Sequence, residues 1–204
     1  MAAAPSPNLD GVRREDVPEL ESVFQLVEEV MGFLPNSMLI MARKPGLVEA
    51  FAGLGVVVQG PSALPDEIKR MAAFMASRAA GCVYCQTHTH HQAAKAQISP
   101  QKLDAIWAYE TSDQFSPAER AALRVAQGAG HVPNAVSAAD MAALKEHFCD
   151  AQIVDLVAVI AFFGFLNRWN DTFATALEAD PVAHARTHMA AHGWVAGKHA
   201  PAEG

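Results

Sequence analysis

The sequence predicts an all-α fold, and three observations carry that expectation. Apolar residues recur at helical three- and four-residue steps, as in Ile68, Met71, Ala72, Met75, Ala76 and Ala79. Helix-start signals punctuate these runs, with Ser99-Pro100 and Ser116-Pro117 placing proline at the first helical position. No segment sustains the two-residue alternation of a half-buried strand. The chain has 204 residues, 51% of them hydrophobic and 18% charged, which suits one domain or two small halves sharing a core.

Taken in order, residues 1–12 are small, polar and proline-bearing and are expected to be flexible. Residues 13–180 form the helical domain, and residues 181–204 a C-terminal helix or tail. Leu20, Val23, Phe24, Val27, Val30 and Met31 keep helical spacing until Gly32. Pro35-Asn36-Ser37 marks a turn before a short helix, Met38 to Ala42, closed by Pro45-Gly46. Leu47 to Gln59 is a third apolar helix, ended by Gly60-Pro61. The next begins at Pro65, with Asp66 and Glu67 in the dipole-favoured first turn, and ends at Gly81. Its buried stripe is the one from Ile68 to Ala79, with Glu67, Arg70 and Ser77 on the other side.

Further helices follow: one from the cysteine motif discussed below, one from Ser99, and one from the Ser116–Glu119 capping box to Gly128–Gly130. Another runs from Ser137 to about Phe148. Asp150 caps a long helix whose centre, Leu156 to Leu166, is apolar all round and is expected in the middle of the fold. The runs from Pro65 and Pro117 share a proline, an early glutamate, an alanine-rich body and a closing glycine, which suggests two related helical halves.

A net charge of −7 and the lack of any basic run argue against a nucleic-acid partner. The first residues carry neither a charged n-region nor an apolar h-region, so no secretory signal is expected. The most apolar stretch, Val157 to Leu166, is about half the length a bilayer requires. The expected location is cytoplasmic, with no membrane contact.

The chemistry concentrates in Gly81 to His91, which holds two of the three cysteines and three of the nine histidines. A Cys-x-x-Cys at a helix start faces the orphan N–H groups and the positive end of the dipole, which lower a thiol pKa. At helical pitch Cys82 and Cys85 lie about 60° apart, close enough for a disulfide, and His88 stands one turn beyond. One reading makes Cys85 the attacking thiolate, His88 its proton partner and Cys82 the thiol that resolves the sulfenic acid. Two rival readings are a pair of inert core thiols, and zinc held by Cys82, Cys85 and two of His88, His90 and His91. His91 points about 180° from Cys82 on a continuous helix, which disfavours zinc there.

Glu67 could serve as a general base across the Gly81 turn or pair with Arg70 on the surface. Glu119 reads as the capping-box acid, and Cys149 as a buried structural thiol. Asn167-Arg168-Trp169-Asn170-Asp171 either lines a pocket or, as the preferred reading, stitches helix ends together. His184, His188 and His192 share one face of a terminal helix, a spacing that can hold a metal but near a chain end is more often exposed.

Gly-Cys-x-Tyr-Cys-x-x-His after a helix resembles the AhpD-like carboxymuconolactone decarboxylase superfamily, and in particular its peroxidase-related alkylhydroperoxidase branch. Met31-Gly32-Phe33-Leu34-Pro35-Asn36 and Leu166-Asn167-Arg168-Trp169-Asn170-Asp171 are also similar to that branch, and the likeness spans roughly residues 15–180. The resemblance implies a duplicated helical fold, a homo-oligomer (dimer, trimer or hexamer) and hydroperoxide reduction through the cysteine pair, with electrons from a dithiol protein or small thiol. Cys85 corresponds to the peroxidatic residue and Cys82 to its partner. The site set expected is therefore Cys82, Cys85, His88 and Glu67, with no cofactor and no metal.

Two positions depart from the family pattern. Thr89 stands where its histidine is usual, and Arg70 where its glutamate is usual, although Arg70 could itself favour a thiolate. The alternatives are a lyase like γ-carboxymuconolactone decarboxylase, which shares the fold without using a cysteine pair, and a metal-binding or redox-sensing interaction protein.

Overall fold

The computed structural model describes residues 7–201 and contains ten α-helices, with no strand among the described residues. The first three are α1 (Glu21–Met31), α2 (Asn36–Met41) and α3 (Leu47–Gln59). They are followed by α4 (Asp66–Ala79), α5 (Val83–Lys95), α6 (Pro100–Ala105) and α7 (Pro117–Gly130). The last three are α8 (Ala138–Lys145), α9 (Asp150–Phe173) and α10 (Ala179–His188). Gly32 ends α1 at φ 88°, a left-handed cap that a side chain would strain. Ser116 and Ser137 each cap a helix reciprocally with the acid three residues on, so α7 and α8 begin where those motifs stand.

The core is built around α4, which packs against α5, α7 and α9. Met71, Phe74 and Met75 are buried there, and so is Ser77, which the helical spacing placed on the outer side. A helix enclosed by three others has little outer side left, so the single-stripe reading was too narrow. The two alike runs, α4 and α7, lie against one another; a Cβ at Gly130 would come within 2.6 Å of the Ala76 carbonyl oxygen, so the glycine permits this close crossing.

Helix α9 spans 24 residues, more than its apolar centre suggested, and by length and composition alone could cross a bilayer. Its Leu156, Val159, Ile160 and Phe162 face is buried in the fold, while Val154, Val157 and Phe165 are exposed, so it is not buried all round as expected.

The N-terminal segment differs from expectation. Residues 1–6 of the segment expected to be flexible lie outside the described residues. Beyond them, the Asn8 amide N–H donates to the Phe173 carbonyl at 2.7 Å and the Val12 N–H to that of Leu39 at 3.0 Å, so this part is tied to the fold. At the other end, the segment after α10 folds back as a strap. The Leu177 N–H donates to the His199 carbonyl at 2.9 Å, and Trp194 Nε1–H to Thr87 Oγ1 at 2.8 Å. That strap brings residues from the far end of the sequence to the start of α5.

Candidate active site

Cys82 is the N-cap residue of α5, and its sulfur accepts the Cys85 N–H at 3.4 Å. This is the local reason for the Cys-x-x-Cys spacing: a cap acceptor meets the donor three residues on. Both thiols are free and buried. Cys85 faces a cavity of about 410 Å³, whereas Cys82 lies behind it and does not line the cavity. The walls are apolar, with Leu26 and Val30 from α1, Phe51 from α3 and Phe162 from α9; Tyr84, His88 and Asn170 share the floor with Cys85.

Electrostatically the resting site differs from the sequence expectation. Burial pushes the Cys85 thiol well above its ordinary value, and the adjacent Cys82 pushes it the same way. The Asn170 Nδ2–H, donating to the sulfur at 3.6 Å, is the opposing influence. The thiol therefore rests protonated, and the predicted low-pKa thiolate is corrected. Arg70, the cation offered as favouring a thiolate, also lines the cavity but pairs with Asp66 at 3.0 Å.

His88 is one turn from Cys85, as predicted, and its partner is an acid the sequence reading missed. Its Nε2 lies 2.6 Å from Glu178 Oε2, while Glu178 Oε1 accepts the Tyr84 hydroxyl at 2.7 Å and the Asn36 N–H at 2.6 Å. Burial alone would raise the Glu178 carboxyl, yet His88 and the donated hydrogen bonds hold it below its ordinary value. A carboxylate accepts only, so Nε2 carries the proton in this pair and Nδ1 of a neutral His88 is left as an acceptor. Glu178 sits at the N-cap position of α10, some ninety residues from His88, and no local pattern connects them.

Glu67 is not brought to the cysteines. Its carboxylate pairs with Lys102 Nζ at 2.8 Å, and the same ammonium holds Glu119, so neither the general-base role nor the Arg70 pairing is seen. Thr89, at the family's histidine position, donates its hydroxyl to the Cys85 carbonyl at 2.7 Å, a helix back-bond that leaves it no part in proton transfer. Cys149, expected to be buried, is exposed at the N-cap of α9, where its N–H donates to Gln152. Residues 167–171 serve both readings: Asn170 lines the cavity and reaches Cys85, while Asp171 ties the end of α9 to the chain around His199 by pairing with Lys198 at 2.9 Å, beside Cys82.

The other two histidines of α5 pack against the histidines of α10. His90 Nδ1 and His184 Nε2 share a hydrogen bond at 2.8 Å, and His91 packs its ring 5.1 Å from that of His184. His188 lies 4.6 Å from His184 ring to ring, but His192 stacks on Trp107 and pairs with Asp104, so the three terminal histidines do not converge. Burial, then neighbouring histidine charge, lowers His90 to about 3 and His184 to about 4.

These two groups are neutral in the fold but take up protons near 6.5 when unfolded. Their stabilising contribution is complete above that value and is lost as pH falls toward 4, with Glu178 adding a further loss below 4.5. The free energy of unfolding is expected to be about 2–3 kcal/mol lower at about pH 4.5 than at neutrality from His90 alone, with His184 adding less because it is half exposed. Denaturant titrations at both pH values measure this, and equal midpoints would show that the pair is not held neutral.

Comparison with known proteins agrees with this architecture. The profile of the carboxymuconolactone decarboxylase family matches residues 45–128. No match was found among curated proteins. Among solved structures, the debrominase Bmp8 is 36% identical, with a TM-score of 0.81, covering 85% of this chain and 94% of that one. A Bmp8 variant in complex with 2,3,4-tribromopyrrole is 35% identical with a TM-score of 0.83, covering 87% and 95%. An alkylhydroperoxidase AhpD core, an uncharacterized peroxidase-related protein from Ralstonia eutropha JMP134, is 25% identical with a TM-score of 0.76, covering 88% and 96%. The all-helical fold, the family profile and near-complete coverage of relatives above 30% identity place the chain in the AhpD-like carboxymuconolactone decarboxylase family.

Proposed function

We propose that the protein is a dithiol-dependent reductase that reduces an apolar organic hydroperoxide by two electrons and closes a Cys82–Cys85 disulfide. The observation that carries this reading is the placement of Cys85 at the floor of an apolar cavity with the Cys82 sulfur directly behind it. Cys85 Sγ attacks the terminal peroxide oxygen, the O–O bond breaks, and the alkoxide leaves as the alcohol. His88, oriented by Glu178, takes the thiol proton and returns it to the leaving oxygen. Cys82 then displaces hydroxide from the Cys85 sulfenic acid, giving the disulfide and water, and a dithiol donor restores both thiols by exchange.

A reducing, cytoplasmic setting with a dithiol protein as electron donor fits this cycle. Leu26, Val30, Leu54 and Val57 on α1 and α3 are exposed, and a second copy of the chain is the partner proposed to cover them.

The likeness to a debrominase favours a second reading within the same chemistry. Cys85 would attack the bromine of a halogenated heteroaromatic, the ring carbon would take a proton, and Cys82 would displace bromide from the sulfenyl bromide. The cavity, with its aromatic and aliphatic walls, suits a ring as well as an alkyl chain.

Purified protein with a dithiol should be offered cumene hydroperoxide and, separately, pyrroles carrying from one to four bromines, following alcohol formation and bromide release. Dithiol-dependent turnover of the peroxide is expected, and bromide release without peroxide turnover would select the second reading. Turnover of neither, with dithiol-independent decarboxylation of a muconolactone, would replace both with the lyase.

A further inference from the structure

The strap that returns after α10 buries one histidine that the mechanism above leaves unused. His199 is 1% exposed, and its Nδ1–H donates to the Thr175 carbonyl at 2.8 Å. A carbonyl can only accept, so the proton of the neutral ring is on Nδ1 and the Nε2 lone pair is free. Nε2 lies 3.5 Å from Asp171 Oδ1 and has no hydrogen-bond partner. The half-exposed Asp171 carboxylate already pairs with Lys198 Nζ at 2.9 Å and has no proton to give, so the buried Nε2 lone pair is left without a donor. The buried donor beside that lone pair is Cys82: its sulfur, a ring nitrogen of His199 and a carboxylate oxygen of Asp171 all lie within 4.8 Å of one another.

We propose that His199, positioned by Thr175 and Asp171, accepts the Cys82 proton when that thiol attacks Cys85 to close the disulfide. This rests on the reading of Cys82 as the resolving thiol. It divides the proton work between two histidines: His88 serves Cys85 on the cavity side, and His199 serves Cys82 on the sealed side. A thiol with no route to solvent cannot lose its proton to water, and a base supplied by the strap removes that obstacle. Asp171 balances the imidazolium that forms, and catalytic hydrogen bonds of this kind commonly tighten only as the reaction proceeds. Burial holds the His199 ring below its ordinary value, so it is neutral and ready to accept.

The step can be read without any natural substrate by using 4,4′-dithiodipyridine on a Cys149→Ser background. Cys85 attacks the reagent, releasing one thiopyridone and leaving a mixed disulfide. Cys82 then attacks the Cys85 sulfur, the mixed S–S bond breaks, and a second thiopyridone leaves with the proton that His199 carried. The two releases give two absorbance phases. His199→Gln is expected to slow the second phase by at least about 100-fold while leaving the first within about twofold. Asp171→Asn is expected to slow the second phase by a smaller factor. The pH profile of the second phase should lose its histidine inflection in His199→Gln and rise steadily with hydroxide. The other titratable or charged groups around the ring are Cys82 at the N-cap of α5, Tyr84 from α5, Asp171 from α9, and Lys198, which pairs with Asp171.

An unchanged second phase in His199→Gln, a profile identical to its parent, or stoichiometric zinc bound through Cys82 would overturn the proposal. Biphasic release that depends on His199, from a protein that turns over neither peroxide nor bromopyrrole, would uphold it while overturning the proposed overall reaction.

Discussion

Cys85→Ser is expected to lower dithiol-dependent turnover by at least about a thousandfold, because serine offers no nucleophile of comparable strength at neutral pH. The three cysteines should separate cleanly. Cys82→Ser keeps the sulfur that faces the cavity, so it should react once with peroxide and stall with a sulfenic acid that a dimedone probe captures. Cys149→Ser should behave as wild type. It caps the far end of α9, and twenty-one helical residues place it about 30 Å from Asn170, which donates to Cys85. Multiple-turnover rates and peptide mass spectrometry after one equivalent of peroxide distinguish these outcomes. Full activity in Cys85→Ser would remove the thiol mechanism.

The same placement explains why the site was partly legible in the sequence. The Cys-x-x-Cys, Tyr84 and His88 are local to one helix, so their spacing fixes their relative positions once that helix forms. The helices themselves announce their starts through Ser116, Ser137 and Ser99, and their ends through Gly32, Gly60 and Gly81. What the sequence could not show is which distant acid or amide meets these side chains. Glu178 and His199 reach the site because α10 and the strap fold back over α5, a tertiary event with no local signature.

Glu67 was the acid nearest in sequence, and its carboxylate is taken by Lys102. The expected lowering of the Cys85 thiol failed for a related reason. The helix start was read correctly, but the cap position belongs to Cys82, and Cys85 is enclosed by apolar groups that favour its neutral form.

Two substitutions of Glu178 should divide its structural role from its chemical one. Glu178→Ala strands the Tyr84 hydroxyl, the His88 ring N–H and the Asn36 N–H in a buried site, and is expected to destabilise the fold by about 3–5 kcal/mol. Glu178→Gln is isosteric. Its carbonyl oxygen can still accept from Tyr84 and Asn36, so the cost to stability should be about 1 kcal/mol. Its amide, however, presents a donor to His88 Nε2. That nitrogen must then accept, the ring proton moves to Nδ1, and the lone pair proposed to serve Cys85 is lost. Turnover in Glu178→Gln should therefore fall by about 100-fold or more, although the protein stays folded. Denaturant unfolding and steady-state rates, measured on both variants, test the division. If Glu178→Gln is as active as wild type, the His88–Glu178 pair only holds α10 against α5, and the proton must leave Cys85 by another route.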